Sequence, residues 1–588
     1  MQNAVAFADN DVATIAWSYG HRPEGCMGFA VYRINSQGQE TPLPSHAVFK
    51  GYKILPGQTT EQFPIQKFYW KDPYARPEAD KTGNRKFRYK VVPLEGKPGS
   101  LKPMNLPHII SNEVEVSPVV SEGVAAYFNR GLISTQRVSR AFKGHPSKGS
   151  LTPQIEKPPS PLRTSLAGDM IGALTGFVDR AKTSGKIYAA LYELHDDELL
   201  QKLEGLGKRL QIVLANAVVT DPKTKVKSDG NQHARDELGH TAGTKWDRIM
   251  PNGHIGHNKF LVYTDKNDKA QAVLFGSTNW TPTGLCAQTN NTLVIDDPDL
   301  ADRYLQYWKQ LAADTKAANG SSKALQGSKL RTWDAKDAAL EFDGAALESW
   351  FSPNTPHARS RKTSSEKHPP DMASVIEHID QAEHAILFLA FYPGSPSIAN
   401  WTADALGKNK ELFVRGCVTN KSASEGFYYE LHGTTPPPKK KGQKTPIKQD
   451  PRVIGAEALD GKIIPEGWQR ELLQAGFAII HDKIVVIDPF SDKCVVITGS
   501  HNLGHKASFD NDENLAIIQG NKKLAVAYAT HVLDVYDHFS WRYQVKLKGQ
   551  DGADQSLEST PDAWLDKYFD ANGEIKTAQL KFWMSAVN

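Results

Sequence analysis

The chain has 588 residues, 39% hydrophobic and 23% charged, with 70 Lys and Arg against 66 Asp and Glu for a formal net charge of +4. That length exceeds one ordinary core and implies three or four structural units, while no apolar run is long enough to span a bilayer. The small basic balance, with a pI near 8.5, permits nucleic acid or anionic lipid headgroups as partners and requires neither.

Residues 1–120 read as an all-β unit. Short apolar runs at Ala13–Trp17, Phe29–Tyr32 and Phe87–Val92 are separated by Gly, Pro and Asn clusters, the pattern of a β-sandwich. Trp17, Tyr89 and the closing run Asn112–Val116 resemble a fibronectin type III domain, and such a module more often binds or spaces than catalyses.

Strands and helices then alternate. A helical stretch near Leu166–Ala181 precedes a strand at Ile187–Leu191, a helix at Leu199–Leu206 and a strand at Leu210–Leu214. The same order returns as Met372–Ala382, Ile386–Ala390, Trp401–Leu406 and Leu412–Val414, with Ala126-Tyr127-Phe128 and Ser349-Trp350-Phe351 marking the two starts. This predicts βαβ units on a largely parallel or mixed sheet. The expected divisions are 121–335 for a first half, 336–548 for a second, and 549–588 for a helical tail.

The duplication carries chemistry. His257-Asn258-Lys259 is followed by Gly276-Ser277-Thr278-Asn279, and His481-Asp482-Lys483 by Gly499-Ser500-His501-Asn502. Each Lys opens an apolar, β-branched or aromatic run, so each His and its Lys lie on one face of a buried strand. A second run ends at the Gly-Ser turn that delivers the Asn. One His-X-Lys is commonplace; the same order twice at nearly equal spacing argues for a single site built from two halves. Ammonium and amide donors suit the oxygens of a phosphodiester, and two imidazoles can share nucleophilic attack and proton transfer. That scheme requires no metal or other cofactor, and His254 with His257 lacks the accompanying ligands of a zinc site.

Together these motifs resemble the phospholipase D superfamily over roughly residues 125–545. The resemblance implies a duplicated α/β fold with His257, Lys259, Asn279, His481, Lys483 and Asn502 in one pocket at a pseudo-twofold axis, supported by Ser277, Ser500 and Asp488. It implies cleavage of a phosphodiester through a phosphohistidine, on substrates ranging from phospholipids to nucleic-acid ends. Two positions depart from the pattern. Thr264 stands where the second half has Asp488, with Asp265 one place later, and Asn290 aligns with the acid Glu513. In the family that acid orients the histidine of the opposite half, so Glu513 is expected to support His257 as nucleophile, leaving His481 as general acid.

Three loops attract notice. Ser139–Arg163 reads as a flexible linker or lid, the polar insert between Asp221 and Gly256 runs into His257, and Pro436–Lys441 continues to Lys444 and Lys448 as a basic loop. Three functions follow: a nuclease, favoured because Gly276–Thr281 and Asp512-Glu513-Asn514 resemble the family's nuclease branch; a phospholipase D acting on headgroups; and an inactive binding scaffold. No signal segment opens the sequence, so a cytoplasmic location is expected, with specialised export left open. Cys26, Cys286, Cys417 and Cys494 read as reduced, buried thiols.

Overall fold

A computed structural model describes the chain except residues 1–2, 46, 54, 132–150, 159, 221–223, 225, 361–366, 420, 438–447, 457–478, 549–555 and 588. Two eight-stranded mixed sheets dominate it. The first runs in the order Val119–Ser121, Val124–Phe128, Asn291–Ile295, Ala270–Gly276, Lys259–Thr264, Lys186–Leu191, Leu210–Ala215, Thr244–Arg248. The second repeats that order as Ala339–Phe342, Ala345–Ser352, Glu513–Gln519, Val495–Gly499, Ile484–Ile487, Ala385–Ala390, Phe413–Val418, Val453–Gly455. In each, the strand that follows the motif His pairs antiparallel with the strand at 186–191 or 385–390, and that strand pairs parallel with the next. The sheets are the duplicated α/β architecture.

Residues Lys259–Thr264 and Ile484–Ile487 are almost wholly buried apolar runs, as central strands covered on both faces require. The covers include two long helices, Pro298–Ala318 and Lys522–Lys548. The first is capped by the Asp297 side chain accepting from Leu300 N–H, opens on Pro298 and stops at Asn319 in the left-handed region, φ 45°. Leu300, Tyr304, Tyr307, Trp308 and Leu311 form its buried stripe, each worth about 1.5–3 kcal/mol of burial. The helix also crosses between the halves: Tyr307 stacks on Phe351 at 4.0 Å. In return, Tyr528 and His531 of the second long helix pack on Phe128, at 5.0 and 4.3 Å.

The N-terminal region is all-β apart from the helix Ala75–Thr82. A three-stranded sheet, Asn3–Ala8, Ala13–Ser18 and Tyr69–Asp72, faces a second sheet built on Gly28–Ile34 and Lys86–Lys97. Trp17 and Phe29 meet edge-on between them at 5.3 Å. All four cysteines are buried. Among the described residues no helix is long and apolar enough to cross a membrane.

Three expectations change. The linker read at Ser139–Arg163 lies outside the described residues at 139–150 and 159; its described part contains the helix Thr152–Ile155, and its end belongs to the helix Pro161–Ala167, where Arg163 is buried and paired to Asp196 and Glu198 at 2.8 and 3.0 Å. The polar insert at 221–256 contributes the helix Gln232–Thr241 and a sheet strand, Thr244–Arg248. Among the described residues the tail is helical at Ala578–Val587 and in a short turn at Leu565–Lys567, and it docks on the sandwich: Trp564 lies 5.8 Å from Phe29, and Trp583 stacks on Tyr69 at 4.4 Å. In each case a distant partner supplies the order that local composition does not show. Most of the basic loop at Pro436–Lys448 lies outside the described residues; Lys448 sits 5.5 Å over the Tyr428 ring.

Candidate active site

The two motifs meet edge to edge. His257 N–H donates to the carbonyl of Asp512 in the second half at 2.9 Å, and His481 N–H to that of Thr289 in the first at 3.0 Å. Each imidazole is thus anchored through its backbone by the opposite half. The turns behind them demand glycine: a Cβ on Gly276 or Gly499 would lie 2.3 Å from the carbonyl oxygen of Asn291 or Asn514.

The side chains cross as well. His257 Nδ1 lies 2.8 Å from Glu513 Oε2 and 3.1 Å from the Ser500 carbonyl. His481 Nδ1 lies 2.8 Å from Asn290 Oδ1 and 3.1 Å from the Ser277 carbonyl. Carbonyl and carboxylate oxygens only accept, so both rings carry their proton on Nδ1 and leave the Nε2 lone pair free. The ring centroids are 6.3 Å apart. Ser500 Oγ donates to Glu513 at 2.8 Å and Ser277 Oγ to Asn290 at 2.9 Å, so each serine holds the partner of a histidine.

Lys259 and Lys483 each donate to the carbonyl of the histidine two residues back, at 2.6 Å. Each ammonium also sits 5.1 Å over an aromatic ring, Tyr192 in the first half and Phe391 in the second. Those rings pack against His257 and His481 at 5.2 and 4.7 Å. His257, Lys259, His481, Lys483 and Glu513 are each no more than 3% exposed, so charge here is expensive. Burial, opposed by Glu513, takes His257 down to about 4, and burial takes Lys259 down to about 7. Burial and the two ammoniums hold His481 well below its ordinary value, and burial with Lys259 does the same to Lys483. Burial would raise the Glu513 carboxyl, but the charge and hydrogen bond of His257 keep it below its usual range.

Asn279 and Asn502 end the set, and the carbonyl oxygen of each is buried without a partner. Asp488 faces away from this chemistry: its carboxylate accepts from the N–H groups of Glu383, His384 and Ala385 at 2.7–2.8 Å, tying off the start of a strand. Thr264, its counterpart, donates to Asp268, which also binds Tyr188 and Lys186. The sequence reading missed Tyr192, Phe391 and Glu193, whose carboxylate accepts from Asn279 Nδ2. Aligning the ends of the strands Lys186–Leu191 and Ala385–Ala390 would have paired Tyr192 with Phe391.

Residues 176–312 and 448–534 match the family model described as cardiolipin synthase, PLD-like domain, and these spans contain both histidine motifs and Glu513. These two segments are similar to a phospholipase D-like domain. Among solved structures, phosphatidylserine synthase of Haemophilus influenzae Rd KW20 is similar at 11% identity over 66% of this chain and 89% of its own, with a TM-score of 0.44. Yeast tyrosyl-DNA phosphodiesterase is similar at 10% identity over 58% of this chain and 86% of its own, with a TM-score of 0.30. The phospholipase D family member Nuc of Salmonella typhimurium is similar at 18% identity over 33% and 95%, with a TM-score of 0.21. No curated protein sequence matches the chain.

Proposed function

We propose that the chain is a phosphodiesterase working through a phosphohistidine on His257. The asymmetry of the crossed pairs carries this reading: Glu513 can stabilise positive charge on His257, whereas Asn290 offers His481 only a neutral oxygen. His257 Nε2 attacks phosphorus as the bond to the leaving oxygen breaks, and His481, as imidazolium, gives that oxygen its Nε2 proton. Neutral His481 then takes a proton from water, whose oxygen displaces His257. Lys259, Lys483, Asn279 and Asn502 hold the non-bridging oxygens throughout. The empty pocket disfavours protonated His481, and an arriving phosphodiester supplies the negative charge that offsets the two ammoniums.

Nucleic acid is the favoured substrate, supported by the sequence Gly276–Thr281, by Asp512-Glu513-Asn514 and by the positive charge balance. A phospholipid is the second reading. It is supported by exposed Val218, Val219 and Val226 on a hairpin that abuts His195 through Gly230, and by exposed Ile249. Residues 1–120 are read as fibronectin type III-like, supported by the three-stranded sheet facing the sheet at Gly28–Ile34 and Lys86–Lys97, and residues 121–335, 336–548 and 549–588 as two halves and a tail.

Single-stranded DNA, double-stranded DNA and phosphatidylglycerol vesicles, each incubated in EDTA with wild type, His257→Ala and His481→Ala, test the reading. DNA cleavage lost in either variant supports a nuclease, headgroup release alone supports a phospholipase D, and no turnover of any phosphodiester supports the scaffold.

A further inference from the structure

The two halves of the pocket agree at the His, the Lys, the Ser, the Asn and the aromatic beneath the ammonium. They diverge at the second residue beyond the strands Lys186–Leu191 and Ala385–Ala390, where Glu193 follows Tyr192 and Tyr392 follows Phe391. Tyr392 is half exposed, whereas Glu193 lies partly buried on the pocket wall with its carboxylate on Asn279 Nδ2. That donor is one of those assigned above to a phosphoryl oxygen. Glu193 also lies in the field of Lys259, His195 and Lys483, beside the Tyr192 ring that carries Lys259. A carboxylate therefore already stands where the pocket gathers its anion-binding groups.

Resting on the phosphodiesterase reading, we propose that Glu193 is a resident competitor for the substrate anion: it holds Asn279 while the pocket is empty and must take up a proton before Asn279 binds a phosphoryl oxygen. The proton comes from solvent and removes a negative charge that would repel the phosphate. A protonated carboxyl also becomes a donor. If the Asn279 carboxamide turns over, its unpartnered Oδ1 accepts from Glu193 and its Nδ2 is released. Burial pushes the Glu193 carboxyl up, against the opposing charges of Lys259, His195 and Lys483, which brings this proton uptake toward working pH. The device makes oxyanion affinity rise with falling pH beyond what Lys259 alone imposes, and it gives only the first half this control.

Calorimetric titration of the full chain with tungstate, between pH 5 and 8 and in two buffers of different ionisation heat, tests it against Glu193→Gln. The expected result at pH 8 is binding about tenfold tighter in the variant, from removal of one like charge. The two affinities should converge as pH falls, and the variant should take up as much as one proton fewer per tungstate bound, most clearly near pH 8. Equal affinities and equal proton uptake overturn this inference alone. Loss of tungstate binding in a Glu193→Gln protein of unchanged Tm also overturns it, making Glu193 a binding group instead. Absence of binding by both proteins refutes the phosphodiesterase reading together with it.

Discussion

Replacing Glu513 with Gln keeps the shape of the crossed pair and removes its charge. The carboxylate lies 2.8 Å from His257 Nδ1 in a site where neither group is more than 3% exposed. Attack on phosphorus places positive charge on that ring, so the bond changes from charge-assisted to neutral at the moment it matters. Unit charges about 4 Å apart interact by about 4 kcal/mol at an effective dielectric near 20, and a hydrogen bond to a charged group retains about 1.5–3 kcal/mol. A loss of about 2–4 kcal/mol corresponds to a fall in kcat/KM of about 30- to 1,000-fold. The assay is steady-state cleavage of a nitrophenyl phosphodiester, with Tm measured in parallel. Asn290→Asp provides the contrast: it raises the proton affinity of His481, an acid that this leaving group needs little of, without removing the nucleophile's support. A Glu513→Gln enzyme within threefold of wild type would refute the argument that this carboxylate stabilises the reacting histidine.

The pH profile of kcat/KM reports the free enzyme. With a nitrophenyl substrate, whose leaving group needs little acid from His481, His257 acts as a base with its value lowered to about 4, so activity should be lost as pH falls through about 4; on the alkaline side Lys259, lowered to about 7, loses its charge near 7, alongside ionisation of Glu193. Glu513 raises both values, so Glu513→Gln should move both limbs to lower pH, and limbs that stay in place would contradict the assignment. Arg248→Met strips the partner from Asp512, which Arg248 Nε binds at 2.6 Å with both groups buried, and should cost about 3–5 kcal/mol in denaturant unfolding. A loss below about 1 kcal/mol would show that the buried pair is not needed to join the halves. Trp564→Ala removes a ring 2% exposed among Phe29, Phe68 and Tyr568, and should cost about 3–5 kcal/mol while leaving the reacting groups in place. Unchanged resistance of the tail to proteolysis in that variant would contradict the docking.

The repeated motif was legible because its elements are short-range. His, Lys, Gly, Ser and Asn sit within about two dozen residues on adjoining strands, and both strands show as apolar runs. Tyr192, Phe391 and Glu193 escaped because they reach the pocket through strand order: Leu191 pairs with Lys259, 68 residues later in the chain, and no local pattern announces that pairing. Arg163 was read into a loop for the same reason, since Asp196 and Glu198 order it from beyond an intervening helix and strand. Thr264 and Asp488, where the two halves differ, both serve the ends of strands in the fold. Trp564 and Trp583 mark the tail as something that must be covered, and only the fold names the sandwich as what covers it.

The division of labour between the two imidazoles is tested most directly by trapping the covalent intermediate. His481→Ala should still attack a nitrophenyl phosphodiester, whose leaving group needs little acid help, and should then stall for want of a base to activate water. After rapid quenching at alkaline pH and proteolysis, mass spectrometry should find the phosphoryl group on the peptide containing His257. A phosphoryl group on His481 in the His257→Ala protein, with none on His257 in the His481→Ala protein, would reverse the assignment and contradict the role given to Glu513.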